Sequence, residues 1–132
     1  MKLRAVLLAI SGLTVVSGVV QALAPAFVLG MVGSATGPEA RHFFGIVGMF
    51  MVLFGGMLFQ ALITYDPSRL PVMWAGLQKF GASVAVGLGV AHAIFSPIAL
   101  GIAGFDFLSG VLIFAYLRTM PHRVDKPMPG AR

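Results

Sequence analysis

Four long apolar segments, separated by shorter polar or Gly- and Pro-rich stretches, dominate this chain. A helix needs about 20 apolar residues to cross a bilayer, and each segment has about that length. The segments lie at residues 4–24, 41–63, 72–95 and 98–118. The pattern predicts an all-α, antiparallel four-helix bundle in a membrane, formed by residues 1–118 and followed by a basic tail at 119–132.

The connections between these segments differ in length and composition. The longest, residues 25–40, is rich in Gly and Pro and is predicted to be an interfacial loop. Thr36 and Glu39 have the spacing of a capping box, and Pro38 suits a first helical turn. These three residues are predicted to start the second helix. The other two connections are short turns.

Basic residues are concentrated at one end of the predicted bundle. If both termini are cytoplasmic, eight Lys and Arg residues lie on or toward the cytoplasmic side, and only Arg41 lies outside. Because an excess of Lys and Arg marks cytoplasmic loops, the sequence predicts a multi-pass membrane protein with both termini on the cytoplasmic side. Asp66 and Lys79 are predicted polar residues of the cytoplasmic side, with the Lys79 side chain extending to that face.

The fourth segment contains one carboxylate, Asp106, within an apolar run. An aspartate at the centre of a membrane helix costs roughly 2.5–3.5 kcal/mol, so Asp106 is expected to face a polar partner. Counting outward from the middle of each predicted turn places Gln21, His42, His92 and Asp106 in one outer layer, with Arg41 at its rim. These five residues are the candidate ligand-binding residues. We predict a contact between His92 and Asp106, with Arg41 as the rival cation.

Small and polar residues recur at helical spacing in every segment. The four stripes are Ser11, Thr14, Gly18 and Gln21; His42, Gly45, Val52, Gly56 and Gln60; Gln78, Gly81, Ala85, Gly89 and His92; and Asp106, Ser109 and Gly110. Small residues let membrane helices approach closely. We therefore expect these stripes, and the polar layer with them, to face the interior of the bundle.

Two interpretations of the polar layer stay open. Ionisable residues inside a membrane mark functional sites by default, which favours a site for a lipid, quinone or haem, with redox or proton-transfer chemistry as one form of it. Alternatively, the charges only fix how the helices pack. His42 and His92 lie at one level on neighbouring segments, which makes them candidate ligands for a b-type haem or a metal ion.

Composition narrows the classes of function. The chain is 58% hydrophobic and 10% charged, with a net charge of +5, but its basic residues flank apolar segments and form no aromatic-interleaved patch for nucleic acid. The absence of cysteine excludes disulfides and thiolate catalysis. The sequence has no Gly-rich phosphate loop, HExxH motif or nucleophile elbow. Conventional enzymatic catalysis is therefore not expected, and no cofactor is firmly implied.

Several sequence features occur together in a known group of proteins. They are Pro25 at the end of the first segment, Glu39-x-Arg41 with Gly45 at the start of the second, Lys79 in the third, and Asp106 followed by FLSGVLIFAYLR. In these features, over most of residues 5–118, the chain resembles small four-helix bacterial membrane proteins of the DoxX-like and DUF4345-like kind. The resemblance implies a four-helix bundle with Arg41, Lys79 and Asp106 as its polar positions, and it implies no established reaction.

Two functional hypotheses follow. The leading one is a non-enzymatic accessory, assembly or scaffold subunit, which packs in the lipid bilayer against its own copies or a larger complex through its small-residue faces. The alternative is the lipid, quinone or haem site at the outer layer. Transport is disfavoured because the segments lack the broken helices and the charge-lined path of a transporter.

Overall fold

The computed structural model describes residues 2–65 and 68–121, and all regular secondary structure in this part of the chain is helical. The helices are α1 (Lys2–Leu23), α2 (Pro25–Met31), α3 (Pro38–Ile63), α4 (Arg69–Ala91) and α5 (Ala99–Thr119). The four long helices correspond to the four predicted segments, so the all-α prediction is confirmed. Asp66 and the predicted tail beyond Pro121 lie outside the described residues.

The connection between α1 and α3 contains a helix that the sequence pattern did not predict. The seven-residue α2 has Pro25 in its first turn, where the missing N–H of proline is harmless. The predicted capping box is wrong: the N-cap of α3 is Gly37, with no side-chain hydrogen bond, and the Thr36 carbonyl accepts from Arg41 Nε instead. Pro38 does occupy the first turn of α3.

The first pair of long helices, α1 and α3, is antiparallel and in close backbone contact. The helices approach at Gly18 and Gly48. A Cβ atom on Gly48 would lie 2.6 Å from the amide nitrogen of Ala22, so no larger residue fits there without moving a helix. This is the close approach that small residues permit between membrane helices.

The second pair, α4 and α5, is held by aromatic rings that lie against glycines. Gly110 packs against the Phe80 ring, and Gly76 packs against the Phe114 ring. In both contacts the mean of the two residue numbers is 95. The two helices therefore run antiparallel, and their register is centred at residue 95. This register determines which side chains of α4 and α5 can meet.

An apolar core joins the two pairs at the end of the molecule where α1 begins. Each long helix contributes one residue that is at most 1% exposed, namely Leu7, Leu62, Val72 and Ile113. Leu58, Ala75 and Leu117 also belong to this cluster. We call this region the core end.

Arginines at the starts of α1 and α4 bind the carboxyl ends of neighbouring helices at the core end. Arg4 Nε donates to the Leu62 carbonyl at 2.7 Å, and Arg69 Nη1 donates to the Met120 carbonyl at 2.5 Å. The last carbonyls of a helix have no partner within it, and a cation there also interacts favourably with the helix dipole. These arginines therefore stabilise the fold directly, in addition to any role in orientation.

Burial tests the four stripes that were predicted to face inward. The prediction is confirmed in α1 and α5, where every stripe residue is buried. It is wrong in α3, where His42 and Gln60 are exposed and the buried residues are Gly48, Gly55, Leu58, Ala61 and Leu62. It is also largely wrong in α4, where Gly81 and Ala85 are exposed and Lys79 is buried. Nothing packs against Gly56 or Gly81, so small size did not mark a contact at these positions.

At the end opposite the core, α2 is joined to the connection between α4 and α5. The Ser96 amide donates to the Val32 carbonyl at 2.8 Å. Gly33, next in the chain, has a φ of +67°, and a Cβ there would lie 2.9 Å from Cβ of Ser96. Only glycine adopts this conformation without strain and also leaves room for Ser96. The contact fixes the position of α2.

Three helices, α1, α3 and α5, are long and apolar enough to cross a membrane, which indicates a membrane protein. α4 has a similar length, but Gln78 and Lys79 near its midpoint make it less apolar. Large apolar side chains such as Leu13, Phe50 and Val84 are exposed on the outside of the helices. Extensive exposed apolar surface of this kind is typical of contact with lipid or with other proteins.

Candidate ligand-binding crevice

The middle of the molecule contains an ion pair between α4 and α5. Lys79 Nζ donates to Asp106 Oδ1 at 2.6 Å, and the two side chains are only 5% and 11% exposed. The same Nζ lies 5.4 Å from the centroid of the Phe105 ring, within the range of a cation–π interaction. Asp106 therefore has the polar partner that a carboxylate in an apolar helix requires.

That partner is not the predicted one. His92 is the C-cap residue of α4, its side chain is exposed, and its Nδ1 lies 2.9 Å from the Leu88 carbonyl. The predicted contact between His92 and Asp106 is therefore wrong. The prediction that Lys79 extends to the cytoplasmic face is also wrong, because its ammonium group is buried against Asp106.

The wrong partner follows from an error of four residues in the predicted centre of the turn, which shifts the position level with Asp106 by eight residues, or about two helical turns. The predicted turn centre lies four residues further along the chain than the observed one, and this position places His92 level with Asp106. The observed register, centred at residue 95, instead places position 84 level with Asp106. Lys79 is five residues from that position, or about 7.5 Å at 1.5 Å per residue, which the long lysine side chain can span.

The remaining members of the predicted layer do not come together. Arg41 and His42 lie in the first turns of α3, and both are exposed. Neither of them lines the space beside the ion pair. Of the five predicted residues, only Gln21 and Asp106 line a common cavity.

Two cavities adjoin the ion pair. One, of about 120 Å³, lies toward α3 and α4, and the other, of about 460 Å³, lies toward α1 and α5. Six residues line both cavities: Gln21, Val28, Met51, Lys79, Ile102 and Asp106. We call the two cavities together the crevice. Because α2 contributes to both, the unpredicted helix forms part of the wall.

The lining of the crevice is mostly apolar. Its polar members are Thr14, Ser17, Gln21, Gln78, Lys79 and Asp106. At the rim of the larger cavity, Leu13, Phe27 and Met31 are exposed on the surface of the molecule. The crevice therefore runs from an apolar outer surface to a buried charged pair.

Hydrogen bonds orient two of the polar side chains in the wall. Gln21 Nε2 donates to the Phe44 carbonyl at 3.0 Å, which links α1 to α3 and leaves the amide oxygen available as an acceptor. Thr14 Oγ1 donates to the Ile10 carbonyl at 2.9 Å, so its donor is used within its own helix. The strongest donor and acceptor directed toward the crevice are therefore those of Lys79 and Asp106.

The arrangement fits the binding of a small molecule. Ligand sites in proteins are concave and mostly apolar, with a few convergent polar groups and volumes of about 300–1,000 Å³. In residues 2–65 and 68–121, no group of three or more His, Cys, Asp or Glu side chains is placed to hold a metal ion. His42 and His92, the candidate haem or metal ligands, lie outside the crevice.

No family model, curated protein or solved structure matches this chain significantly. The resemblance to DoxX-like and DUF4345-like proteins therefore stays a prediction.

Proposed function

We propose that this chain is an integral membrane protein that binds an amphipathic molecule of the bilayer in the crevice. The observation that carries the proposal is the buried Lys79–Asp106 pair beside a mostly apolar cavity of about 460 Å³. A molecule with an apolar chain and a polar headgroup fits both features, because the chain can lie along the apolar wall while the headgroup meets the pair.

In the proposed arrangement, the four long helices cross a bacterial inner membrane as an antiparallel four-helix bundle with both termini cytoplasmic. The length and apolarity of α1, α3 and α5 support this arrangement. So does the pairing of Lys79, since an ion pair lowers the cost of placing α4 in lipid. The core end, with Arg4 and Arg69, then faces the cytoplasm, and the crevice opens sideways toward the acyl chains at Leu13 and Phe27.

A purely structural role for the ion pair accounts for the crevice less well. Protein interiors are packed as densely as organic crystals, with few voids larger than a water molecule. A pair that served only to fix two helices would be expected to be enclosed by side chains. Lys79 and Asp106 instead form part of the wall of both cavities, which favours a site.

The accessory or scaffold hypothesis is the second candidate. Gly81 and Ala85 are exposed on α4, and nothing packs against Gly81, so another helix could approach closely at this face. A partner cross-linked through α4 in native membranes would favour it. The binding of haem, and redox or proton-transfer chemistry at the site, gain no support, because His42 and His92 do not line the crevice.

A blocking substitution tests the binding proposal. Ile102 lines both cavities and is 45% exposed, so the bulky indole ring of Ile102→Trp should occupy the crevice. The full-length protein in lipid nanodiscs is incubated with three photoreactive probes, which carry the same diazirine-bearing oleyl chain on a hydroxyl, a phosphate or an amine. We expect cross-links on the crevice residues of α1 and α5, and a loss of about tenfold in the Trp variant, or about 1.4 kcal/mol of binding free energy.

Leu100→Trp is the matched control. Leu100 lies on the same helix, is 51% exposed and is outside the crevice lining, so this variant should keep its cross-links. The proposal fails if all three probes label the lipid-facing surfaces evenly, or if both Trp variants have the same effect.

A further inference from the structure

We infer that the crevice selects an uncharged headgroup that carries a hydroxyl, as in long-chain alcohols, acylglycerols or prenylated hydroquinones. The inference rests on the proposed function and goes beyond it, because it states which amphipaths bind and which are rejected. It follows from the charge balance of the crevice wall and from the hydrogen-bonding groups left free there.

The crevice wall is close to electrically neutral. Among the described residues that line it, only Lys79 and Asp106 are charged, and their charges are opposite and 2.6 Å apart. A charged headgroup that approaches one of them also approaches the other, so attraction and repulsion largely cancel. Because a charged headgroup also loses its hydration when it enters, neither an anion nor a cation is favoured.

The ion pair still has hydrogen-bonding capacity. A lysine ammonium has three N–H donors, and one hydrogen bond from Lys79 Nζ goes to Asp106 Oδ1. The other carboxylate oxygen, Oδ2, accepts no hydrogen bond within the described part of the chain, where no buried polar side-chain atom lacks a partner. Oδ2 must therefore be accessible, and the space that it borders is the crevice.

A hydroxyl complements both groups at once. Its O–H can donate to Asp106 Oδ2, and its oxygen can accept from Lys79 Nζ. A ketone or ester carbonyl can only accept, so it would leave Oδ2 without a donor. A buried polar group that loses water and gains no partner is destabilising, which discriminates between headgroups.

Comparison of the three oleyl probes tests the inference. In competition for the wild-type protein in nanodiscs, we expect oleyl alcohol to bind at least about tenfold more tightly than oleyl phosphate or oleylamine, a difference of about 1.4 kcal/mol. Asp106→Asn leaves Lys79 as an unpaired cation and should shift the preference to the phosphate. Lys79→Gln leaves Asp106 as an unpaired anion and should shift it to the amine.

The double variant Lys79→Gln/Asp106→Asn is the control for folding, because it restores a neutral wall with similar shape. It should again prefer the alcohol, even if a single variant proves too unstable to purify. The inference is overturned if the wild type prefers a charged probe or binds all three equally. If none of the probes labels the crevice, the proposed function itself has failed.

A second set of competitors distinguishes the sources of the hydroxyl. 1-Oleoylglycerol and a prenylated hydroquinone both carry the required hydroxyl. The compound that binds more tightly identifies the natural class of ligand. The quinone form of the second compound lacks the O–H donor and should bind more weakly than its hydroquinone. Equal binding of the two forms would show that Asp106 Oδ2 accepts no hydrogen bond from the ligand.

Discussion

The core end and the crevice are built from the same four long helices but differ in packing. At the core end, Leu7, Leu62 and Ile113 are at most 1% exposed and pack against one another's helices. In the crevice, Lys79 and Asp106 are also buried, yet they border cavities of about 120 and 460 Å³. The buried side chains of the core end fill the space between the helices, whereas the buried side chains of the crevice line open cavities.

The connections between helices account for the difference. At the core end, α3 ends at Ile63 and α4 begins at Arg69, so a short connection holds the two helix pairs together. At the other end, α2 lies beside both pairs and contributes Val28 to both cavities. The core end therefore joins the helices through close side-chain packing, whereas α2 and the ion pair define the shape of the binding site.

The largest effect is expected from breaking the ion pair. Asp106→Leu or Lys79→Met leaves one buried charge without its partner, which should lower the free energy of unfolding by about 3–5 kcal/mol. The double variant Lys79→Met/Asp106→Leu leaves no charge and should be near the wild type, or more stable by up to about 4 kcal/mol. Unfolding of the full chain in detergent micelles, followed by circular dichroism, measures these differences.

Glu39→Gln controls for a general effect of removing a carboxylate. Glu39 lies exposed in the first turn of α3, where its charge interacts favourably with the helix dipole, so Glu39→Gln should lower stability by no more than about 1 kcal/mol. If the double variant were as unstable as the single ones, Lys79 and Asp106 would stabilise the fold through separate contacts. That outcome would contradict a stabilising interaction between the two charges.

The second largest effect is expected from the same substitution, Ile→Ala, made once in the core end and once in the crevice. Ile113 is fully buried in the core end, so Ile113→Ala should cost about 2–5 kcal/mol through the cavity that it leaves. Ile102 lines the crevice and is 45% exposed, so Ile102→Ala should cost less than about 0.5 kcal/mol. Unfolding midpoints under identical detergent conditions test this. Equal losses would contradict the contrast between a filled core and a preformed cavity.

The sequence predicts the four long helices because each contains a long apolar run. It also predicted the inward faces of α1 and α5, since Ser11, Thr14 and Asp106 are polar residues in otherwise apolar helices. In α3 and α4 the same rule selected small residues, and Gly56 and Gly81 turned out to have nothing packed against them. Small size permits a helix contact but does not require one.

The ion pair was missed for two physical reasons. The connection between α4 and α5 is apolar, so its centre could not be located to within a turn, and the error moved His92 to the level of Asp106. The sequence also predicts Lys79 at the cytoplasmic face, because a lysine side chain can extend a long way to reach water. Lys79, like Asp106, is a charge near the middle of an apolar helix, and the need of each for a partner is the signal in the sequence that relates them.

The smallest effect concerns α2, which no apolar periodicity predicted. Gly33→Val introduces a β-branched residue at a φ of +67° and places its Cβ against Ser96, so we expect a loss of about 1–3 kcal/mol. Gly30→Ala is the control, because Gly30 lies within α2 with open space around it and should gain up to about 1 kcal/mol. Because Gly33 holds α2 beside the crevice, Gly33→Val should also reduce cross-linking of the oleyl probes, although the ion pair is untouched. Unchanged cross-linking in a destabilised Gly33→Val protein would mean that α2 supports the fold without shaping the site.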